Sequence, residues 1–443
     1  MQTQSEITRL KSIIQDLLQQ AKQQGASSAD AGISTDIGLS VNVRLGDVET
    51  IEHHCSQGLG ITVYMGQKKG SASSTDLSEK SIKETVTAAC SIARYASEDS
   101  YAGLPEQEQL ATEFKDLALH HPWDINADDA INIALECETT ARDYHPDISN
   151  SEGASVDKFE GVRVYGNSLG FLQGHASTRH SISCSMLGER NGEMERDYWY
   201  SVARDAQHLE PAKLIGEKAA QRTIERLGAR SLSTRKCPVL YSAESASSLI
   251  GSFLNAISGG SLYRKSSFLL DSIDTQVFPD FMRLYEQPHL IGALGSALYD
   301  SEGVATKEND IVSQGMLNQY LLSSYSARKL GLKTTGHAGG IHNLCVAAGD
   351  NNLKQLLKKM DTGLYVTELM GQGVNPVTGD YSRGAAGFWV EQGIIQYPVN
   401  EMTIAGNLKG MFQHIIAVGN DIDYRGNIRT GSILIEEMAL AGE

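Results

Sequence analysis

Residues 367–393 read TELMGQGVNPVTGDYSRGAAGFWVEQG, and this stretch sets the character of the 443-residue chain. Its end runs into FWVEQGIIQYPV (388–399), a hairpin turning at Gln392–Gly393, since a two-residue hairpin turn needs positive φ. A second polar block, TTGHAGGIHN (334–343), precedes it, and 14 of the 80 residues from 331 to 410 are glycine. Glycine costs conformational entropy wherever positive φ or close backbone approach is not needed. Here the glycines, Gly339 among them, are interleaved with His337, His342, Glu368, Asp380, Arg383 and Trp389. The pattern fits shaped loops around a binding surface and, equally, tight turns in a glycine-rich β domain.

Upstream the periodicity changes. Ile7, Leu10, Ile14, Leu17, Leu18 and Ala21 recur at helical spacing and predict an amphipathic helix over 5–24 that ends at Gly25. Alternation at Ile37, Leu39, Val41 and Val43, and at Ile61, Val63 and Met65, predicts an antiparallel meander. Gly46–Asp47 and Gly58–Leu59–Gly60 are its expected turns. Further helices are expected over 78–96 (capped by Thr75 or Asp76), 128–144 and 211–227, with strands across 147–203. Past the charged stretch 228–236 a short strand (238–241), a helix over 243–257 and one more over 352–360 stand among strands and glycine turns. The expected class is α+β: an N-terminal α/β half with antiparallel sheets flanked by helices, and a C-terminal β-rich domain with glycine-rich loops. The division falls between 1–230, itself divisible into 1–105 and 125–230, and 231–443.

Composition narrows the function. A formal net charge of −16 without any lysine–arginine cluster opposes nucleic-acid binding, which needs a basic surface. No apolar run approaches the roughly 20 residues that span a bilayer, and MQTQSEITRLKSIIQDLLQQ is not a signal peptide. Six scattered cysteines without a C-x-x-C pair are expected reduced, which places the chain in the cytoplasm.

Most local motifs fail. Gly371-Gln-Gly373 meets Pro376 where a dinucleotide fingerprint needs its third glycine. Asp380-Tyr-Ser382-Arg-Gly384 misses the nucleophile elbow by its first residue and is expected to be a turn. Ser326-Ala-Arg-Lys329 fits S-x-x-K, but the K-T-G-like Lys333-Thr-Thr-Gly336 follows it too closely for a serine acyl-transfer site. His337 and His342 make an incomplete metal site, since zinc needs three or four protein ligands. His53–His54, His120–His121, Asp421 and Asp423 carry no specific signal. No complete catalytic constellation emerges: no catalytic residue and no metal ligand is assigned.

Longer blocks are more specific. SGGSLYRKSSFLLDS (258–272), SYSARKLGLKTTGHAGGIHN (324–343) and VTELMGQGVNPVTGDYSRGAAGFWVEQGIIQYPVNEMTIAGNL (366–408) closely resemble the TldD/PmbA metallopeptidase family, in its PmbA (TldE) branch. The resemblance is dense over 237–443 and looser through the N-terminal half. It implies a two-subunit cytoplasmic zinc peptidase that cuts unfolded or extended peptides, in peptide-antibiotic maturation and antitoxin degradation. In the TldD branch a helix carries H-E-x-x-x-H and a C-terminal cysteine completes the zinc site. Two imidazoles and a thiolate would hold the metal there, leaving one position for water and the glutamate as base. This chain departs at each ligand. Ala243 and Ser248 flank Glu244 where the histidines belong, and Thr430 stands at the cysteine position. No histidine lies between His208 and His289.

The resemblance therefore implies a partner subunit whose own zinc motif is degenerate, with zinc expected in a TldD-like paralogue. An extended peptide would pair with exposed strand edges of the β half, with His337, Gly339, His342, Arg383 and Trp389 lining the groove. A non-catalytic homodimeric binding or regulatory protein is the alternative. Neither reading involves nucleic acid or a membrane.

Overall fold

The computed structural model describes residues 3–442. The N-terminal part runs α1 (Thr3–Gln23), β1 (Ser28–Arg44), β2 (Asp47–Met65), β3 (Lys68–Ser74), α2 (Glu79–Tyr95), α3 (Ala127–Arg142), β4 (Ile148–Asn167), β5 (Leu172–Arg190), β6 (Glu193–Ala203) and α4 (Ala212–Arg226). Its strands form one antiparallel sheet of order β3-β2-β1-β4-β5-β6. Segments 1–105 and 125–230 thus share a single sheet, joined where β1 pairs with β4. Period-two burial sends one set of side chains beneath the helices: Ile33, Leu59, Ile61, Val63 and Val164 meet α1 and α2, while Val41, Val156 and Ile182 meet α3 and α4.

The C-terminal part runs β7 (Arg235–Tyr241), α5 (Ala243–Ala256), α6 (Gly259–Tyr263), β8 (Leu284–Glu286), β9 (Asn309–Ser313), β10 (Met316–Leu317), α7 (Ser324–Leu330), β11 (Leu344–Val346), α8 (Leu353–Met360), β12 (Gly363–Met370), β13 (Asp380–Glu391), β14 (Ile394–Asn407), α9 (Leu408–Gln413), β15 (Ile415–Val418), β16 (Ile428–Arg429) and β17 (Ile433–Ala441). A sheet of order β14-β13-β12-β7-β17-β15 closes on itself, because Thr403–Ala405 of β14 also pairs with Ala439–Ala441 of β17. A smaller sheet of order β10-β9-β8-β11-β16 lies beside this barrel. Tyr241, Val366, Trp389 and Ile404 pack with Leu249 and Phe253 of α5 in the main core.

Several sequence expectations change. Gly58–Leu59–Gly60 lies within β2, paired with Ser34, Ile33 and Gly32, and is not a turn. Ser78 caps α2 by accepting from Ser81 N, and Asp76 in turn accepts from Ser78; the expected cap was two to three residues early. Asp380–Gly384 is strand, not turn. Three helices of five to seven residues (α6, α7, α9) went unforeseen, since so few turns leave no periodicity to read. Closure also removes most free edges from the β-rich half, as barrels do. The long open edge belongs to the other half: β3 pairs only with residues 59–65 of β2, leaving 47–58 bonded on one side.

Candidate functional site

Glu244 sits in the first turn of α5, whose start Ser242 caps by accepting from Ser245 N. Both carboxylate oxygens are occupied. Oε2 accepts from Arg222 Nη1 at 3.0 Å, and Oε1 accepts from Arg425 Nη2. Arg425 also forks onto Asp423 (Nε–Oδ1 2.9 Å, Nη2–Oδ2 2.9 Å) and donates to Tyr200 O. Burial works against the Arg425 charge, yet the bonds from Asp423 and Glu244 raise its pKa above the ordinary arginine value.

The same network ties the two halves together. On β6 the alternate residues Glu195, Asp197 and Trp199 share a face, and on α4 Arg222 and Arg226 are one turn apart. Arg222 reaches Asp197 (3.1 Å), and Arg226 reaches Glu195 (3.4 Å), Asp197 (3.6 Å) and Glu368 of β12. Trp199 is flanked by Arg425 at 4.1 Å, Lys218 at 4.7 Å and Arg222 at 5.2 Å from its centroid, within cation–π range. Sequence reading missed this cluster, although the period-two acids of β6 and the Arg-x-x-x-Arg of α4 were its visible signals.

The other positions at which the resemblance implies a degenerate zinc motif are also engaged. Ser248 accepts from Arg383 Nη1 at 2.7 Å. Thr430 is wholly buried and donates to Gly431 O at 3.0 Å. Ala243 offers no donor atom at all.

The five groove candidates are not brought together. Trp389 is 3% exposed in the barrel core, with Nε1 donating to Glu391, so it presents no wall to a groove. Arg383 is half-buried beside Ser248. His337, Gly339 and His342 belong to a pinned loop. His337 Nε2 meets Glu286 at 2.5 Å and its Nδ1 meets Thr335 at 2.9 Å, and the ring is buried. His342 N donates to the other Glu286 oxygen at 2.7 Å, while its Nε2 meets Gly336 O. Gly339 takes φ 100° directly above Ser301, where a Cβ would come within 2.4 Å of Oγ. The carboxylate missing from the sequence pattern is thus Glu286 of β8, 51 residues before His337.

Glu286 gives a pH prediction. Burial pushes its carboxyl up, but the His337 bond, the His337 charge and the His342 amide together hold it below its ordinary value. A depressed folded pKa stabilises above the ordinary carboxylate range and loses that contribution as pH falls through it. Glu286→Gln should cost about 2 kcal/mol at pH 7, the scale of a hydrogen bond to a charged group. Urea midpoints of the two proteins should stay apart from pH 7 down through the ordinary carboxylate range and converge only below it, as pH falls through the depressed Glu286 value.

The remaining sequence candidates have ordinary roles. Ser326 is 3% exposed and completes a capping box with Ser323, and Lys329 lies over Tyr101, 4.0 Å from Asp99. Asp421 accepts from Ser432 N and Oγ. No helix among the described residues is long and apolar enough to cross a membrane.

Beside Glu244 and Arg425 opens a cleft of about 990 Å³. Its floor is the helix-free face of the N-terminal sheet, carrying alternate residues such as Arg163 on β4 and His175, Ser177 and Arg179 on β5. Ser247, Ile341, Asp423 and Asn427 of the C-terminal half form the facing wall. None of the five groove candidates lines it.

Sequence profiles of three consecutive units match: PmbA/TldA metallopeptidase domain 1 over 29–93, the central domain over 120–227 and the C-terminal domain over 234–442. The chain is 50% identical to metalloprotease PmbA of Escherichia coli O157:H7 over 446 residues, covering 100% of this chain and 99% of that one. It is 48% identical over 434 residues to the metalloprotease PmbA homologue of Haemophilus influenzae, covering 98% and 96%. A crystal structure from Bacteroides thetaiotaomicron, described as a candidate modulator of DNA gyrase, superposes with TM-score 0.93 at 28% identity, covering 98% and 99%.

Proposed function

The chain belongs to the PmbA/TldD metallopeptidase family, and from that premise we propose that it is the metal-free partner subunit of a two-chain cytoplasmic zinc peptidase acting on unfolded or extended peptides. A TldD-like paralogue bearing the histidines supplies zinc and base. This chain supplies structure and one wall of the substrate path.

The observation that carries this reading is the state of Glu244. A metal-dependent general base acts on a water held by its metal, whereas Glu244 is paired through both oxygens with the guanidiniums of Arg222 and Arg425, and Ala243, Ser248 and Thr430 offer no ligand set beside it. The residues at the ligand positions do not fit a zinc ion either: alanine cannot ligate, and neutral serine and threonine hydroxyls are poor donors beside imidazole and thiolate. Thr430 and Ser248 are, besides, already hydrogen-bonded. No step of peptide hydrolysis is assigned to a metal in this chain.

Peptide capture by strand pairing gives affinity with little sequence preference. The open stretch 47–58 of β2 offers the needed row of amide and carbonyl groups, and its Ser56 borders the cleft. A non-catalytic binding or regulatory protein gains no comparable support from the site, and the net charge of −16 opposes direct contact with DNA.

Glu244→Gln tests the reading. In a mixture with the paralogue it should leave peptide hydrolysis within about twofold, whereas loss of a true general base costs about 100-fold or more. A loss of that size from a folded variant would make Glu244 catalytic and sink the proposal.

A further inference from the structure

The floor of the cleft carries more positive charge than the protein compensates, three arginines against Asp36. Arg179 is exposed to the cleft and has no hydrogen-bond or ion-pair partner among the described residues. Arg204 is pinned by three carbonyls, those of Ala293 (3.0 Å), Leu294 (2.7 Å) and Thr178 (3.1 Å), and by no carboxylate. Among the described residues Arg163 reaches only Asp36, at 3.5 Å across open surface, where a surface pair contributes little. Burial and the charges of Arg179 and Arg163 lower the Arg204 pKa, so the three guanidiniums lie within each other's field. His175, opposite Arg163 on the neighbouring strand, is exposed on the cleft floor, where desolvation and then the charges of Arg163 and Arg204 hold it down at about 4. It is therefore neutral at pH 7, and as a neutral ring it can donate one hydrogen bond to an anion.

Like charges gathered without counter-ions oppose folding, and planar guanidinium groups match a carboxylate in charge and shape. The facing wall sets a limit on the ligand. Glu244 and Asp423 are neutralised by Arg222 and Arg425, but they still make that wall unsuited to a polyanion. A single carboxylate fits better than a nucleic-acid backbone. Position supplies the rest. Ser56 at the open β2 edge, Asp36, Gly161 and Ser177 form one rung across four adjacent strands. Arg179 follows Ser177 on the same face. The distance from the edge to β5 is three strand spacings, about 14 Å, which some four extended residues cross.

We infer that the arginine-lined floor formed by Arg163, Arg179 and Arg204 is a binding site for the free C-terminal carboxylate of an extended peptide. This deepens the proposed function and rests on its premise that the chain binds peptide.

The test uses the full chain and a dye-labelled unstructured decapeptide made with a free C-terminal carboxylate or as its amide. Binding is followed by fluorescence anisotropy at low and moderate salt. The acid should bind at least tenfold tighter than the amide, with the difference shrinking as salt rises. Arg179→Gln should abolish the difference, and since Arg179 holds no partner the variant should fold as the parent does. Equal affinity for acid and amide, no binding of either, or a preference that survives Arg179→Gln overturns the inference. An amidated peptide with one internal glutamate that binds as tightly as the acid overturns the C-terminal assignment. Hydrolysis by the mixture with the paralogue is read separately. Activity there with no acid preference removes this inference alone, and an acid preference with no activity removes the partner-subunit reading alone.

Discussion

Gly387→Ala should destabilise the barrel by about 3 kcal/mol, at the upper end of the range for overpacking. A Cβ at Gly387 would stand 1.9 Å from Tyr365 O, 2.9 Å from Tyr365 C and 3.0 Å from Val366 Cα. These are backbone atoms of β12, held on the other side by the ladder to Leu240 and Tyr241 of β7. Neither strand can retreat without breaking pairs that close the barrel. Gly384→Ala, three residues earlier on the same strand, is the control. Its nearest neighbour would be Met370 Cβ at 3.2 Å, at the last residue of β12, where a shift of a few tenths of an ångström relieves the contact without touching the β12–β7 ladder. Alanine also restricts the unfolded chain, so that variant should lie within about 1 kcal/mol of the parent. Urea unfolding of both decides the matter; equal midpoints would mean that the close approach at Gly387 is not structural.

Arg425→Met should cost about 2–3 kcal/mol, somewhat below the figure for breaking a fully buried ion pair. The side chains of Arg425, Asp423 and Glu244 are 14%, 17% and 28% exposed, so water recovers only part of the lost interaction. Methionine keeps the aliphatic stem against Trp199 and Tyr200 but leaves Asp423 without its forked partner and Glu244 with Arg222 alone. Because this node joins β6 and α4 to the C-terminal half, Trp199 fluorescence should change before the barrel melts. Lys218→Met, which removes the more exposed Lys218–Glu210 pair on the same tryptophan, should cost under about 1 kcal/mol. A similar loss from both variants would contradict the central place given to Arg425.

What the sequence disclosed follows from range. The helical spacing of Ile7 to Ala21 predicts α1, and the Gln392–Gly393 turn appears with φ of 52° and 71°; both are local. The glycines around Gly387 announced close approach, but not that the approaching backbone is a barrel strand rather than a ligand. Closure rests on pairing β14 with β17, some 36 residues apart. The Glu286–His337 pair spans 51 residues and the Glu244–Arg425 pair spans 181. Period and spacing carry no information at such separations. Long block resemblance pointed to Ala243, Glu244, Ser248 and Thr430, yet it could not say that arginines fill the space around Glu244. Trp389 misled for a related reason: an aromatic among glycines looks the same whether it lines a groove or fills a core.

The most direct measurement is hydrolysis of an unstructured peptide by this chain alone, by its H-E-x-x-x-H-bearing paralogue alone, and by the two together, each with and without a chelator. Activity should require both chains and should vanish on chelation, with Glu244→Gln in this chain leaving it intact. Chelator-sensitive hydrolysis by this chain alone would contradict the partner-subunit assignment and require a metal site built from residues other than Ala243, Glu244, Ser248 and Thr430.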